Sequence, residues 1–222
     1  MSLDHERFSR MSKEVLNNYL DGQESDLSRL EDFLTSLKIF QFSELSNDSK
    51  KLAFWINIYN GFTNYQIVKN GLQTSVFDKP DFFTNRALVV DEFTLSLDDI
   101  EHGILRRNGQ RKNSKPLQFL ARDTRHKLML KKLDFRIHFA LNCGSISCPL
   151  TAYYSAENID NLLVMATENF VKSEFYIDHA KKTINCSPIF VWYRNDFGNL
   201  YLNDPKLSCY QIAERPYKWK LR

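Results

Sequence analysis

Glycine and proline are scarce in this chain of 222 residues, at seven and six respectively. That scarcity excludes collagen-like and low-complexity classes and leaves little room for flexible linkers. Cysteine is also sparse. The four thiols, Cys143, Cys148, Cys186 and Cys209, are too few for a disulfide framework in a chain this long, and the lack of a Cys-x-x-Cys pair argues against a zinc ribbon. Net charge is small, with 30 basic residues against 27 acidic ones. The basic doublets Arg106-Arg107, Arg111-Lys112, Lys131-Lys132 and Lys181-Lys182 are short and separated, which reads as solvated surface and not as a nucleic-acid footprint. No apolar run reaches the roughly 18 residues that a membrane span needs, and Met1 to Arg7 lacks the charged-then-apolar pattern of a secretory signal. The expectation is a soluble, cytoplasmic protein; a mature secreted form would present the same sequence.

Aromatic residues are plentiful, with 17 Phe and ten Tyr in a chain that is 43% hydrophobic, enough to bury a full core. The expected organisation is an N-terminal helical extension over residues 1–44 and a single globular domain over 45–222. Residues 4–38 carry two helical stripes, Val15, Leu16, Tyr19 and Leu20, then Leu27, Leu30, Phe33, Leu34 and Leu37, broken at Asp21-Gly22. Such a hairpin serves packing or meets a protein partner. Residues 51–68 are apolar nearly all round and predict a central buried helix. Its Asn57, Asn60 and Asn64 fall on one face, so three amides must find partners in a neighbouring loop or in a ligand.

Residues 86–90 and 93–96 read as two short strands around Asp91-Glu92. Ser96 and Asp99 form a capping pair that opens a helix over 97–106, in which Glu101 and His102 lie about 100° apart and should not face one point. Residues 107–130 read as a polar, basic loop. Beyond it, 155–172 predict a helix capped at Ser155, 175–177 and 183–186 a hairpin, and Ser187-Pro188 a further helix start. The fold class is α+β, a small and mainly antiparallel sheet packed with several helices.

The densest chemistry lies in residues 136–149, where an imidazole, an amide and two thiols fall within one short stretch. The alternation Phe135, Ile137, Phe139, Leu141 predicts a strand over 135–142 that ends in a loop at Cys143-Gly144 and is kept from continuing by Pro149. A thiol works as a nucleophile only as thiolate, and otherwise packs as a small hydrophobe. Cys143 and Cys148 are also close enough in sequence for a disulfide if their Cα atoms approach to about 4.4–6.8 Å.

Four segments in this order, 53–60, 96–106, 138–149 and 192–197, resemble the motifs of the family catalogued as domain of unknown function 547 (DUF547), over roughly residues 45–200. The resemblance implies a fold identity without an assigned activity. Larger members of that family join the domain to glutaredoxin-like or coiled-coil regions, which implies thiol chemistry or assembly.

Three readings stay open. In a cysteine-dependent hydrolase or acyl transferase, Cys143 attacks a carbonyl, His102 or His138 is the base, Glu101 or an Asn orients the imidazole, and Asn142 with backbone N–H groups meets the oxyanion. In a redox protein, Cys143 and Cys148 cycle through a disulfide. In a binding or scaffold domain, the same residues brace loops. Asn57, Tyr59, Asn60, Arg106, Ser147, Trp192 and Asp196 are the candidate binding residues. No cofactor is expected, and no metal: His102, His138, Cys143 and Cys148 are suitable ligand types, but their spacing gives no support.

Overall fold

The structure is a computed structural model that describes residues 3–110 and 116–221; Arg111 and Lys112 of the basic doublets lie outside the described residues. Helix α1 (His5–Leu20) is capped by Asp4, whose carboxylate accepts from the Arg7 N–H at 2.9 Å, and ends at Asp21-Gly22, where Gly22 takes a positive φ of 74°. Helix α2 (Ser28–Ser36) follows. Both apolar stripes pack on the core, with Phe8, Leu16, Leu30 and Leu37 fully buried.

Helix α3 (Asp48–Lys69) is the axis of the molecule, buried on every side from Leu52 to Asn64. It is capped by Asn47, which accepts from the Lys50 N–H at 2.9 Å. Helix α1 crosses it at Gly61, where an added Cβ would stand 2.4 Å from a Phe8 ring carbon. The amides of α3 brace its neighbours. Asn57 makes a two-way bond with the Tyr154 backbone (2.7 and 3.1 Å), Asn60 spans the Ala140 carbonyl and the Asn142 N–H (3.0 and 2.8 Å), and Asn64 donates to the Ser12 hydroxyl (3.1 Å).

Strands β1 (Leu88–Val90) and β2 (Phe93–Leu95) pair antiparallel around Asp91, as their sequence suggests. The second sheet orders β3 (Phe175–Asp178), β4 (Thr183–Cys186) and β5 (Gln211–Glu214), with β3–β4 antiparallel and β4–β5 parallel. Helix α4 (Ile159–Glu174) packs beside it, and the short helix α5 (Pro188–Trp192) starts at Ser187 as cap and Pro188 as first residue. Two small, mostly antiparallel sheets among helices make the fold α+β.

Three local expectations are corrected. Residues 135–142 are not a strand. Phe135–Phe139 forms a 3-10 turn capped by Asp134, with the Ala140 and Leu141 N–H groups both bonded to the Ile137 carbonyl. Ile137, His138, Phe139 and Ala140 are buried in succession, so the alternation of residue types did not mark an inner and an outer face. Residues 97–106 keep the Ser96–Asp99 capping pair, but Asp99–Leu105 is a π-helical segment with i→i+5 bonds from Arg106 to Glu101 and from Asn108 to Gly103. Its wider turn lets Glu101 and His102 line one cavity, contrary to the α-helical expectation. Helix α4 begins at Ile159, after a turn in which the Ser155 hydroxyl and carbonyl are bonded by Asn158.

Candidate functional site

The thiol loop is fixed from three directions. Asn60 holds its entry at Ala140 and Asn142. The Asn142 side chain then spans the loop, accepting from the Gly144 N–H (2.8 Å) and donating to the Pro149 carbonyl (2.9 Å). Gly144 has a φ of 88°, a conformation that favours glycine, and a Cβ there would also push on the Ile67 Cδ1 at 2.5 Å. The C-terminal segment supplies the third restraint. Ile146 N–H donates to the Lys220 carbonyl and Lys218 N–H to the Ser147 hydroxyl, each at 2.9 Å.

This scaffold places the Cys143 and Cys148 sulfurs 2.9 Å apart as free thiols. The donors of the loop converge on them. Cys148 Sγ meets the Cys143 N–H (3.2 Å), the Ser145 hydroxyl (3.3 Å) and the Tyr217 hydroxyl (3.4 Å), which lies 3.7 Å from Cys143 Sγ. Burial alone would push the Cys148 thiol up, but the bonds from Cys143, Ser145, Tyr217 and the Cys143 N–H outweigh it and bring it well below the ordinary thiol range. Cys143 moves the other way, because its bond to Cys148 and its burial both favour the protonated form. The contacts of the loop thus favour the charged form at Cys148 and the protonated form at Cys143.

A second polar cluster stands at the same cavity, with Arg106 and His138 on its wall and Asp196 behind them. Asp196 receives Arg106 through two bonds, Nε to Oδ2 at 2.6 Å and Nη2 to Oδ1 at 3.0 Å, and His138 Nε2 at 2.8 Å. Because a carboxylate only accepts, His138 carries its proton on Nε2. Burial raises the Asp196 carboxyl, yet His138 and Arg106 hold it down at about 2. Burial keeps His138 low, only partly offset by Asp196. The imidazole stacks on the Tyr193 ring at 3.9 Å. Glu101 accepts from Tyr59 (3.0 Å) and Tyr193 (2.5 Å), and although burial opposes its charge, His102, Tyr193, His138 and Arg106 together bring its carboxyl below the ordinary value. His102 Nδ1 accepts from Arg106 Nη1 at 3.1 Å.

Cys143, Cys148, Glu101, His102, Arg106, His138, Tyr59, Tyr193 and Trp192 all line one cavity of about 350 Å³. Asn57 and Asn60 are braces behind it, Asn142 and Ser147 fix the loop, and Asp196 stands behind His138 and Arg106. Sequence reasoning missed Tyr217 and Trp219, which reach the cavity from the chain's far end, 69 or more positions from Cys148. Among the described residues no group of three or more His, Cys, Asp or Glu stands in a metal-holding arrangement, and no helix is long and apolar enough to cross a membrane.

The sequence model of the family described as "Protein of unknown function, DUF547" matches residues 42–171, more than half of the chain. The chain belongs to the DUF547 family. Helix α3, the π-helical segment and the thiol loop fall inside the DUF547 match, whereas Asp196 and Tyr217, which complete the cavity's polar contacts, lie beyond it. No curated protein and no solved structure matches the chain.

Proposed function

We propose that this DUF547 chain is a thiol–disulfide redox protein whose working pair is Cys143 and Cys148. The observation that carries the reading is the convergence of the loop's donors on two sulfurs 2.9 Å apart. An acyl-transfer site needs N–H groups aimed at an oxyanion. Here the Cys143 N–H points at Cys148 Sγ, the Gly144 N–H at Asn142, and the Asn142 amide at Pro149.

In the reaction, the Cys148 thiolate attacks one sulfur of a substrate disulfide, forming a mixed disulfide and releasing the first substrate sulfur as a thiolate. Cys143 then attacks Cys148 Sγ, closing the protein disulfide and releasing the second substrate sulfur. The substrate takes up two electrons; one of its released thiolates takes the Cys143 proton and the other takes a proton from solvent. Cys143 suits the second step because its proton is held until the mixed disulfide removes the negative charge beside it.

A thiol hydrolase built on Cys148 is the second reading, favoured by His138 on the same cavity wall with Asp196 bonded behind it. The pH dependence of iodoacetamide reaction, resolved for each cysteine by peptide mass spectrometry, separates the readings. The redox account expects Cys148 to react at pH values well below the ordinary thiol range of about 8.5, and expects Cys143→Ala to move that reactivity to higher pH while His138→Gln leaves it in place. If His138→Gln abolishes the low-pH reactivity and Cys143→Ala does not, the hydrolase reading replaces it.

A further inference from the structure

The cavity in front of the thiols is built differently at its floor and at its mouth. On the floor, where Tyr59, Glu101, Arg106 and His138 are buried, the polar groups bond to one another. The two carboxylate oxygens of Glu101 take the hydroxyls of Tyr59 and Tyr193, Asp196 takes Arg106 and His138, and Arg106 also reaches His102 and the Gln110 carbonyl. At the mouth, Phe77, Phe83, Trp192, Tyr217 and Trp219 line the same space. They come from three separate stretches of the chain and meet ring to ring. Trp192 and Trp219 stack with centroids 5.9 Å apart, Tyr217 sits 4.9 and 4.5 Å from them, and Phe77 meets Trp219 at 4.6 Å and Phe83 at 6.2 Å. All five stay partly in water, Phe77 being 53% exposed and the others half-buried. Aromatic faces gathered around one hollow and left in water are surface that the ring of a ligand can cover, with ring–ring contacts adding to the apolar area removed. The cavity's volume of about 350 Å³ lies near the lower end of the ~300–1,000 Å³ usual for small-molecule sites.

We propose that this cavity is an aromatic subsite in which Phe77, Trp192, Tyr217 and Trp219 take the aromatic arm of a small-molecule disulfide. The assignment of a disulfide rests on the redox reading of the thiols, while binding of the ring does not. Tyr217 belongs to both halves, since its ring is part of the aromatic wall and its hydroxyl lies 3.4 Å from Cys148 Sγ. A ring seated against it is thereby placed next to the sulfur that attacks. The exchange is the one written above: the substrate S–S bond breaks as Cys148 bonds one of its sulfurs, and closure of the Cys143–Cys148 disulfide releases the second as a thiol.

Two measurements on the full chain test the proposal. In the first, benzyl alcohol is titrated into the reduced protein, isotope-labelled at its tryptophan indole nitrogens and followed by NMR. Of the three tryptophans, Trp55 is fully buried in the core and serves as internal reference. Saturable shifts of the Trp192 and Trp219 signals with Trp55 unmoved are expected, weakened by Phe77→Leu; three signals that stay still, or that drift alike without saturation, overturn the subsite. In the second, formation of the Cys143–Cys148 disulfide is followed by mass with benzyl 2-hydroxyethyl disulfide or with bis(2-hydroxyethyl) disulfide. Each rate is divided by that of N-acetylcysteine with the same disulfide, which removes intrinsic reactivity. The aromatic disulfide is expected to be favoured roughly ten-fold, the size of one good aromatic pair, and Trp219→Leu should reduce the preference. Equal normalised rates, or the same advantage for cyclohexylmethyl 2-hydroxyethyl disulfide, would overturn the aromatic substrate class. Saturable benzyl alcohol binding together with thiols inert to every disulfide would remove the redox reading and leave the aromatic subsite standing.

Discussion

Asp196 is the residue on which most of the cavity's floor depends, because one buried carboxylate fixes both the Arg106 guanidinium and the His138 tautomer. Removing one partner from a buried pair leaves the other charge without compensation. Asp196→Asn is expected to destabilise the fold by about 3–5 kcal/mol, measured by urea denaturation, and the same loss should free the His138 ring from its stacked position on Tyr193. The pH dependence follows from the same group of residues. His138 is held below its ordinary value of 6.5 by burial, so it binds fewer protons folded than unfolded, and stability should fall as pH drops below 6.5. Asp196 is depressed to about 2, so its contribution is complete above its ordinary value of 3.8 and is lost between there and about 2. Thermal melts from pH 7.5 to 2 should therefore show two successive declines, and in Asp196→Asn the lower one should shrink to what Glu101, Asp99 and the other depressed carboxylates contribute.

At the scale of elements, the close crossing of α1 on α3 and the bracing of the thiol loop by α3 are separable. Gly61→Ala would drive a methyl group into the Phe8 ring and should cost about 1–3 kcal/mol, with little effect on thiol chemistry. Asn60→Ala strips the Ala140 carbonyl and the Asn142 N–H of their partner, at about 1–3 kcal/mol for each buried group, and should also disturb Cys148 alkylation. Melting temperature and alkylation rate, measured together on both variants, distinguish a packing crossing from a site brace. Much of this layer was legible. Amphipathic spacing marked α1 and α2, a run apolar nearly all round marked α3, Ser96–Asp99 and Ser187-Pro188 marked two helix starts, and residues flanking Asp91 marked the β1–β2 pair. Residues 135–142 misled because period-two alternation in a short apolar run does not distinguish a strand from a turn buried on all sides. The π-helical segment was hidden for a related reason, since local pattern carries no sign of i→i+5 bonding.

At the scale of the whole molecule, the cavity is assembled from parts distant in the chain, which is why its inner half was legible and its outer half was not. The short segments holding Glu101, His102, His138, Cys143 and Cys148 could be read locally. Strand β5 could not, because Gln211–Glu214 is exposed throughout and shows no alternation, and its parallel pairing with β4 is a long-range event. That pairing directs residues 215–221 back over the thiol loop, where the Ser145–Leu221 and Ser75–Lys220 bridges anchor them and deliver Tyr217. Tyr217→Phe keeps the ring and removes the hydroxyl, so it should raise the pH at which Cys148 becomes reactive while preserving the fold, as read by alkylation and circular dichroism. The most direct test of the central claim is a redox titration of the full chain in mixtures of reduced and oxidised glutathione, with each cysteine's state read by peptide mass spectrometry. The account predicts a single reversible transition in which Cys143 and Cys148 join to each other while Cys186 and Cys209 stay free. A Cys143 and Cys148 that remain reduced across the series, or that oxidise independently of one another, would contradict it.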